Sequence, residues 1–267
     1  MLGDASATLT RSTRMSTALR SLRKPIRLFY APTPNGWKIT LLLEHARIPY
    51  EVVPVDLAAG AQHEPEFLKI SPNGRIPAIV DPNFDDLPIF ESGAILMHLA
   101  DNYAPQFLPA EQRSRVIQWL FWMNANLGPN AGQVSHFNYY APQLAPDADH
   151  SYARGRYKAE YERLVGVMDR ELKESAFLGG CDSATVADFA CWPWIKPWRR
   201  WMGSTLAEAG YEHTYRWYEA IKAAPETDAA LAVLKEEARA AQRKREARDM
   251  SDAALDSMFK VQRDSRL

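Results

Sequence analysis

Two stretches decide how this chain is read: Ser71-Pro72-Asn73-Gly74-Arg75-Ile76-Pro77-Ala78-Ile79-Val80-Asp81 and, eight residues on, Ile89-Phe90-Glu91-Ser92-Gly93-Ala94-Ile95-Leu96. In the first, Ile76-Pro77 stands just before the β-branched pair Ile79-Val80. An X-Pro bond opening an edge-facing strand is a candidate for the cis isomer, which would leave the main-chain N–H and C=O of Ile76 to a ligand rather than to a neighbouring strand. In the second, an acid and a hydroxyl, Glu91 and Ser92, precede the apolar run Ala94, Ile95, Leu96 and Leu99. Ser92 is expected to cap a helix whose N-terminus receives a carboxylate. A backbone ladder, an anion-binding helix end and a carboxylate for an ammonium together suit a small peptide.

Working outward, the 267 residues are 46% hydrophobic, enough for one or two domains with a substantial core. Lys and Arg total 32 against 33 acids, a net charge of -1 that gives no reason to expect nucleic acid or a membrane surface as partner. Two cysteines, Cys181 and Cys191, are too few for a disulfide framework or a metal site and point to a reducing, cytoplasmic setting. No apolar run approaches the ~20 residues of a transmembrane helix. Residues 1–24 carry Arg11, Arg14, Arg20, Arg23 and Lys24 with one acid, Asp4, which reads as a disordered tail or alternatively as a mitochondrial transit peptide.

From Ile26 the pattern is regular. Ile26 to Tyr30 reads as a strand, and Asn35-Gly36 opens a helix with Ile39, Leu42, Leu43 and Ala46 on one face, stopped by Pro49. Tyr50 to Val55 is a second strand and Pro65 to Lys69 a short helix. Ala78 to Val80 and Pro88 to Phe90 form a hairpin, and the Ser92 helix closes near Tyr103. Residues 25–104 thus form an α/β module. Residues 111–240 read as all-helical: Glu111 to about Asn126, a polar-aromatic loop after Gly128-Pro129, Tyr152 to Leu172, a helix opened by a Thr185/Asp188 capping box and running through Pro193, then Tyr215 to Ala223 and Thr227 to Ala240. Residues 241–267 are a charged extension. It is either solvated or, through Leu255, Met258 and Phe259 on one helical face, docked over a cleft.

An α/β module with Ile-Pro before its third strand and Glu-Ser before its last helix, followed by helices with a Thr-x-x-Asp box, resembles the glutathione S-transferases from Ile26 to the Thr227 helix. Four further motifs resemble the Nu class, the bacterial disulfide-bond oxidoreductases related to yeast nitrogen regulators. These are Ala31-Pro32-Thr33-Pro34-Asn35-Gly36, Pro65-Glu66-Phe67-Leu68-Lys69-Ile70-Ser71-Pro72-Asn73, Gln118-Trp119-Leu120-Phe121-Trp122 and Cys191-Trp192-Pro193-Trp194. The implied fold is a thioredoxin-like α/β domain followed by an all-α domain. The implied co-substrate is glutathione, as two molecules or as glutathione disulfide, with no metal.

A free thiol with a pKa of ~8.5 is only a few per cent thiolate at neutral pH, so a site that hydrogen-bonds sulfur gains reactive species. The resemblance implies Thr33 and Asn35 in that role, and no cysteine lies between Ile26 and Gly36. Read as residues alone, Thr33 shapes a turn, Asn35 caps a helix and Tyr30 is a core aromatic. The resemblance further implies that Ile76, at the Ile76-Pro77 bond, pairs with the cysteinyl unit, that Glu91 meets the γ-glutamyl ammonium and that Ser92 with the Gly93 N–H takes its carboxylate. Gln62 would face the glycyl end and Arg75 would be a second contact. Arg156 would complete the site across a homodimer, with Arg154 close beside it.

A second pocket is sought among Asn138, Tyr139, Tyr140, Trp194, Trp198 and Arg199. The implied reaction is attack of a bound thiolate on the sulfur of a second glutathionyl group, reducing a disulfide or removing glutathione from an aromatic thioether. The alternatives are a conventional transferase acting on carbon electrophiles and a non-enzymatic glutathione-fold regulator.

Overall fold

The computed structural model describes residues 24–247 and 250–263. The expected tail therefore lies outside the described residues, except for Lys24, whose main-chain N–H and C=O are both held by the Asn83 side chain. Four strands, β1 (Ile26–Tyr30), β2 (Tyr50–Pro54), β3 (Ala78–Asp81) and β4 (Leu87–Phe90), form one sheet in the order β2-β1-β3-β4. β1 pairs parallel with β2 and antiparallel with β3, which pairs antiparallel with β4. β3 is therefore interior, not the edge-facing strand expected. The prolines that cannot donate to a ladder, Pro54 and Pro88, sit on the two edge strands. The Ile76-Pro77 bond is cis, and Ile76 lies just outside the sheet before β3.

Helices α1 (Pro34–His45), α2 (Pro65–Leu68) and α3 (Ser92–Tyr103) complete a thioredoxin-like domain. Thr33, not Asn35, is the N-cap of α1: its extended backbone and side-chain acceptor suit that place, and Pro34 takes the first helical position. Gly36 lies so close to β1 that a Cβ there would stand 2.7 Å from Tyr30 Cε2 and collide with the Ala31 carbonyl.

The rest is helical: α4 (Arg113–Trp122), α5 (Gly128–Ser135), α6 (Ala141–Leu144), α7 (Ser151–Glu174), α8 (Val186–Ile195), α9 (Trp198–Met202), α10 (Glu212–Lys222), α11 (Pro225–Ala232), α12 (Lys235–Glu246) and α13 (Asp252–Arg263). The expected loop after Gly128-Pro129 is helix. The turns Met123–Leu127 and His136–Tyr140 are π-helical and join α4, α5 and α6 into one rod. Pro129 and Pro142 each follow such a turn, so the carbonyls four residues earlier, on Ala125 and Asn138, lie where the backbone is already widened and bonds at i+5. The single helix expected from Thr227 to Ala240 is broken at Val233-Leu234, where Leu234 has φ +49°.

The two halves share one core. α1 packs on α8 and α11 as well as on α3, and Leu28, Leu42, Leu96, Leu120, Met168 and Trp192 belong to one continuous cluster. Its polar keystone is Asp188, fully buried in the capping box that opens α8. Its two oxygens accept from Thr185 N (2.8 Å), Thr185 Oγ1 (2.8 Å), Leu178 N (2.9 Å) and Trp217 Nε1 (2.7 Å). Burial pushes its pKa up to about 6, while four donors favour the ionised form. Asp188→Ala would strand those donors in the core. A loss of about 3 kcal/mol or more is expected in urea unfolding, with Asp188→Asn losing less because the amide still accepts at one atom.

Candidate functional site

The heads of α1 and α3, the Ile76-Pro77 turn, the α5–α6 region and the end of α8 enclose a cleft of about 690 Å³. Of the residues picked from sequence, Thr33, Asn35, Gln62, Arg75, Ile76, Pro77, Glu91 and Ser92 all line it, as do Tyr139, Tyr140 and Trp194.

At the head of α1, Thr33 Oγ1 accepts from Gly36 N at 3.3 Å, and Trp37 N donates to Thr33 O at 2.9 Å. Pro34 has no N–H, so the Asn35 N–H is the donor left over in the first turn. Among the described residues, neither the Thr33 hydroxyl proton nor the Asn35 amide has a partner. This corner therefore offers O–H and N–H donors, with a helix N-terminus behind them, to an anion or a thiolate.

Tyr30 is elsewhere. Its ring is fully buried beneath α1 and burial pushes its phenol far above the usual range, so it is a core residue. Cys181 and Cys191 are free and buried, and burial raises both thiols. Neither lines the cleft.

The head of α3 differs from the expectation that Ser92 caps it. Glu91 occupies the N-cap with φ +70° and ψ +114°, makes no side-chain cap bond, and receives Ile95 N on its carbonyl. This non-glycine conformation is a strained one, and its carboxylate lines the cleft instead of closing the helix end. Ser92 is the first helical residue, and its Oγ accepts from Lys38 Nζ at 3.2 Å. Gly93 lies behind it, close enough to Asn124 that a Cβ would collide with the amide.

Lys38 is the residue that sequence periodicity missed. It falls beside the apolar stripe of α1 and yet is only 2% exposed, because α8 covers that side. Its Nζ lies 5.7 Å from the Trp194 ring centroid. The usable signal was spacing: Asn35 and Lys38 are i and i+3 on one helix face.

The far wall is aromatic and cationic. His136, whose pKa burial holds below the ordinary value, stands near Tyr140, and Trp201, Lys196 and Arg200 line the cleft as well. Lys196 Nζ lies 4.9 Å from the Trp37 ring centroid. Three members of the expected second pocket are misplaced. Trp198 is buried against Tyr161 and Tyr211, while Asn138 and Arg199 do not line the cleft. Successive helical residues point about 100° apart, so Arg200 faces inward where Arg199 was expected. Arg156 is also away from the cleft, half exposed on α7 and 3.7 Å from Glu160. Arg154 is held by its own chain through the Phe137 carbonyl at 2.9 Å.

The C-terminal segment docks. Leu255 is buried, and Met258 and Phe259 line the cleft. Phe259 packs on His136 and Tyr140 with ring centroids at 5.1 and 4.9 Å. The Ser257 carbonyl accepts from Gln62 Nε2 (3.2 Å) and meets His63 Nε2 (3.0 Å), and Ser257 Oγ donates to the Leu57 carbonyl (3.2 Å). Among the described residues, no cluster of His, Cys, Asp and Glu could hold a metal, and no helix is long and apolar enough to cross a membrane.

Comparison with known proteins agrees with this geometry. Residues 24–101 match the family described as glutathione S-transferase, N-terminal domain. The chain is 47% identical over 212 residues to the disulfide-bond oxidoreductase YfcG of Escherichia coli K12, covering 77% of this chain and 94% of that protein. It is 31% identical over 239 residues to the disulfide-bond oxidoreductase YghU of the same organism, covering 84% and 81%. Among solved structures, a Burkholderia graminis glutathione transferase with two glutathione molecules bound per subunit superposes with a TM-score of 0.71 at 36% identity, covering 78% of this chain and 87% of that one. A Pseudomonas putida glutathione transferase with one glutathione disulfide per subunit gives 0.71 at 33% identity, covering 78% and 91%.

Ending the chain at Asp249 removes the Leu255 anchor and the Phe259 wall. A melting temperature lower by a few degrees is expected, together with altered KM for bulky aromatic ligands. Unchanged melting and kinetics would show that the segment does not dock in solution.

Proposed function

The chain belongs to the glutathione S-transferase family, and from that premise we propose that it is a glutathione-dependent disulfide oxidoreductase in which the ligand supplies the nucleophile. The single observation that carries this is the head of α1. Uncommitted donors on Thr33 and Asn35 face a cleft to which the protein brings no thiol of its own. The glutathione and glutathione disulfide bound by the Burkholderia and Pseudomonas relatives, and the activity named for both Escherichia coli relatives, support it.

In the proposed mechanism the γ-glutamyl group anchors at Glu91, Ser92 and the head of α3, and the cysteinyl backbone pairs with Ile76. The sulfur then rests against Thr33 and Asn35. Hydrogen bonds to sulfur lower the thiol pKa and raise its thiolate fraction. That thiolate attacks one sulfur of a disulfide held on the aromatic side: a new S–S bond forms, the old one breaks, and the departing thiolate takes up a proton. Lys196 and Arg200 line the side where the second glutathionyl group and its carboxylates would lie. The same attack on an aromatic thioether needs a stabilised carbanion as leaving group, and the wall of Tyr139, Tyr140 and Trp194 gives that second substrate a place to stack.

We also infer a homodimer, since the exposure of Arg156 away from its own cleft leaves it a part only across an interface. A cytoplasmic setting is supported by two free, buried cysteines.

Thr33→Ala and Asn35→Ala are each expected to cut turnover of a small disulfide by about tenfold or more, a loss of about 1.4 kcal/mol or more of transition-state stabilisation. Tyr30→Phe is expected to change it little. The opposite ranking would place the chemistry at the tyrosine, and faster turnover of an aryl halide than of a disulfide would favour the conventional transferase.

A further inference from the structure

Lys38 has a chemistry that the thiol-activating corner does not use. Its ammonium is buried between α1, α3 and α8, meets one oxygen, the neutral hydroxyl of Ser92, and forms no ion pair among the described residues. An ammonium has three donors, and an isolated one taken out of water is costly. Ser92 begins the 12-residue helix α3, whose first N–H groups have no intrahelical acceptor. Two independent features, a buried cation and a helix N-terminus, therefore converge on the same hydroxyl, and both are satisfied by one anion.

We propose that the Lys38 ammonium is the counter-charge of the ligand's γ-glutamyl carboxylate at Ser92, so that binding of a glutathione derivative is coupled to protonation of this side chain. The inference rests on the glutathione reading above and deepens it. Burial pushes the Lys38 pKa down to about 7. A carboxylate placed beside it favours the charged form and moves the pKa back up. The sign follows: below pH 6 the amine is already charged and binding moves no proton. Between the free and bound pKa values binding takes one up, and affinity falls as pH rises through that window.

The other titratable groups near Lys38 are set apart from it by their placement or by the variants below. At the N-cap of α3, Glu91 is near enough for its charge to favour the protonated amine. From α8, the Cys191 thiol is raised by burial and stays neutral, and Trp194 presents its ring. Lys196, whose Nζ lies over the ring of Trp37, the residue before Lys38, is also held below its ordinary pKa by burial and by Arg200, and the Lys38 variants below separate it from Lys38. At the far end of α1, near Glu44 and Glu226, His45 is held below its ordinary pKa, as is His136 across the cleft, so both are neutral at pH 7.5. His63, against the Ser257 carbonyl, is separated from Lys38 by the variants below.

The test is isothermal titration of the full chain with S-methylglutathione, which has no ionisable thiol, at pH 7.5 in buffers of different ionisation enthalpy. Uptake of a substantial fraction of a proton per site is expected, fading towards zero as the pH is lowered through the free pKa. Lys38→Met is expected to abolish the uptake and weaken binding by about tenfold. Lys38→Arg is expected to abolish the uptake while keeping affinity, because a guanidinium stays charged. Binding by the wild type without proton uptake at pH 7.5 would overturn the inference and leave the glutathione reading standing. Uptake that persists in Lys38→Arg would assign the proton elsewhere and overturn it equally. No binding at all would overturn both.

Discussion

Helix α1 is covered on two sides, by the sheet it follows and by α8 and α11, and the cleft depends on that constraint. Leu41, Leu42 and Leu43 are all fully buried, which no one-sided surface helix achieves. Burying each such side chain is worth about 1.5–3 kcal/mol, so α1 cannot slide or turn without losing several of them at once. Gly36 fixes its closest approach to β1, and the Thr33 cap fixes where it begins. The donors at its head are thereby held relative to the head of α3, which packs against the same helix. Precision in the site comes from these rigid elements and not from its loops.

The double cover also explains what could be read from the sequence. Elements with a regular apolar spacing followed it: β1, α1, the β3–β4 hairpin, α3, α7 and the Thr185/Asp188 box all stand where their patterns place them, to within a residue or two. Lys38 did not, because periodicity assigns a helix one core-facing stripe, and only the tertiary packing of α8 buries the other side. The π turns before Pro129 and Pro142 were equally silent: a proline in a polar-aromatic stretch is a helix breaker unless the backbone ahead of it is already widened, and no side-chain pattern announces that. Arg199 and Arg200 are adjacent and chemically identical. Choosing between them needs the phase of α9, a five-residue helix too short to declare one.

The cleft is thus built from parts of very different stability. Its floor belongs to the continuous core, whereas the contacts of α13 among the described residues include one buried leucine, Leu255, ring contacts of Phe259 and hydrogen bonds to Leu57, Gln62 and His63. Elements with so few apolar contacts are the ones that open first. The contact on Gln62 matters most. That amide, expected at the glycyl end of the ligand, already donates one N–H to the Ser257 carbonyl, so the segment and a ligand would draw on the same side chain. The extension therefore bounds the aromatic side of the cleft with Phe259 and reaches Gln62 through Ser257, so one short helix touches two separate parts of the cleft wall.

Placing the nucleophile on the ligand has a structural cost that α1 meets. A protein thiol at the head of the helix would be positioned by its own backbone. A ligand thiol is positioned only as well as the groups that hold the rest of the molecule. Asn35 and Lys38 are three residues apart on one helix, about 4.5 Å along its axis. In the proposed mechanism the donor for sulfur and the charge that anchors the opposite end are therefore parts of a single rigid body, buried on both sides. Any movement that displaced the anchor would displace the donor with it. This shared placement makes a buried lysine worth keeping: a neutral side chain would pack there more easily, but it would not tie the carboxylate of the ligand to the helix that receives its sulfur.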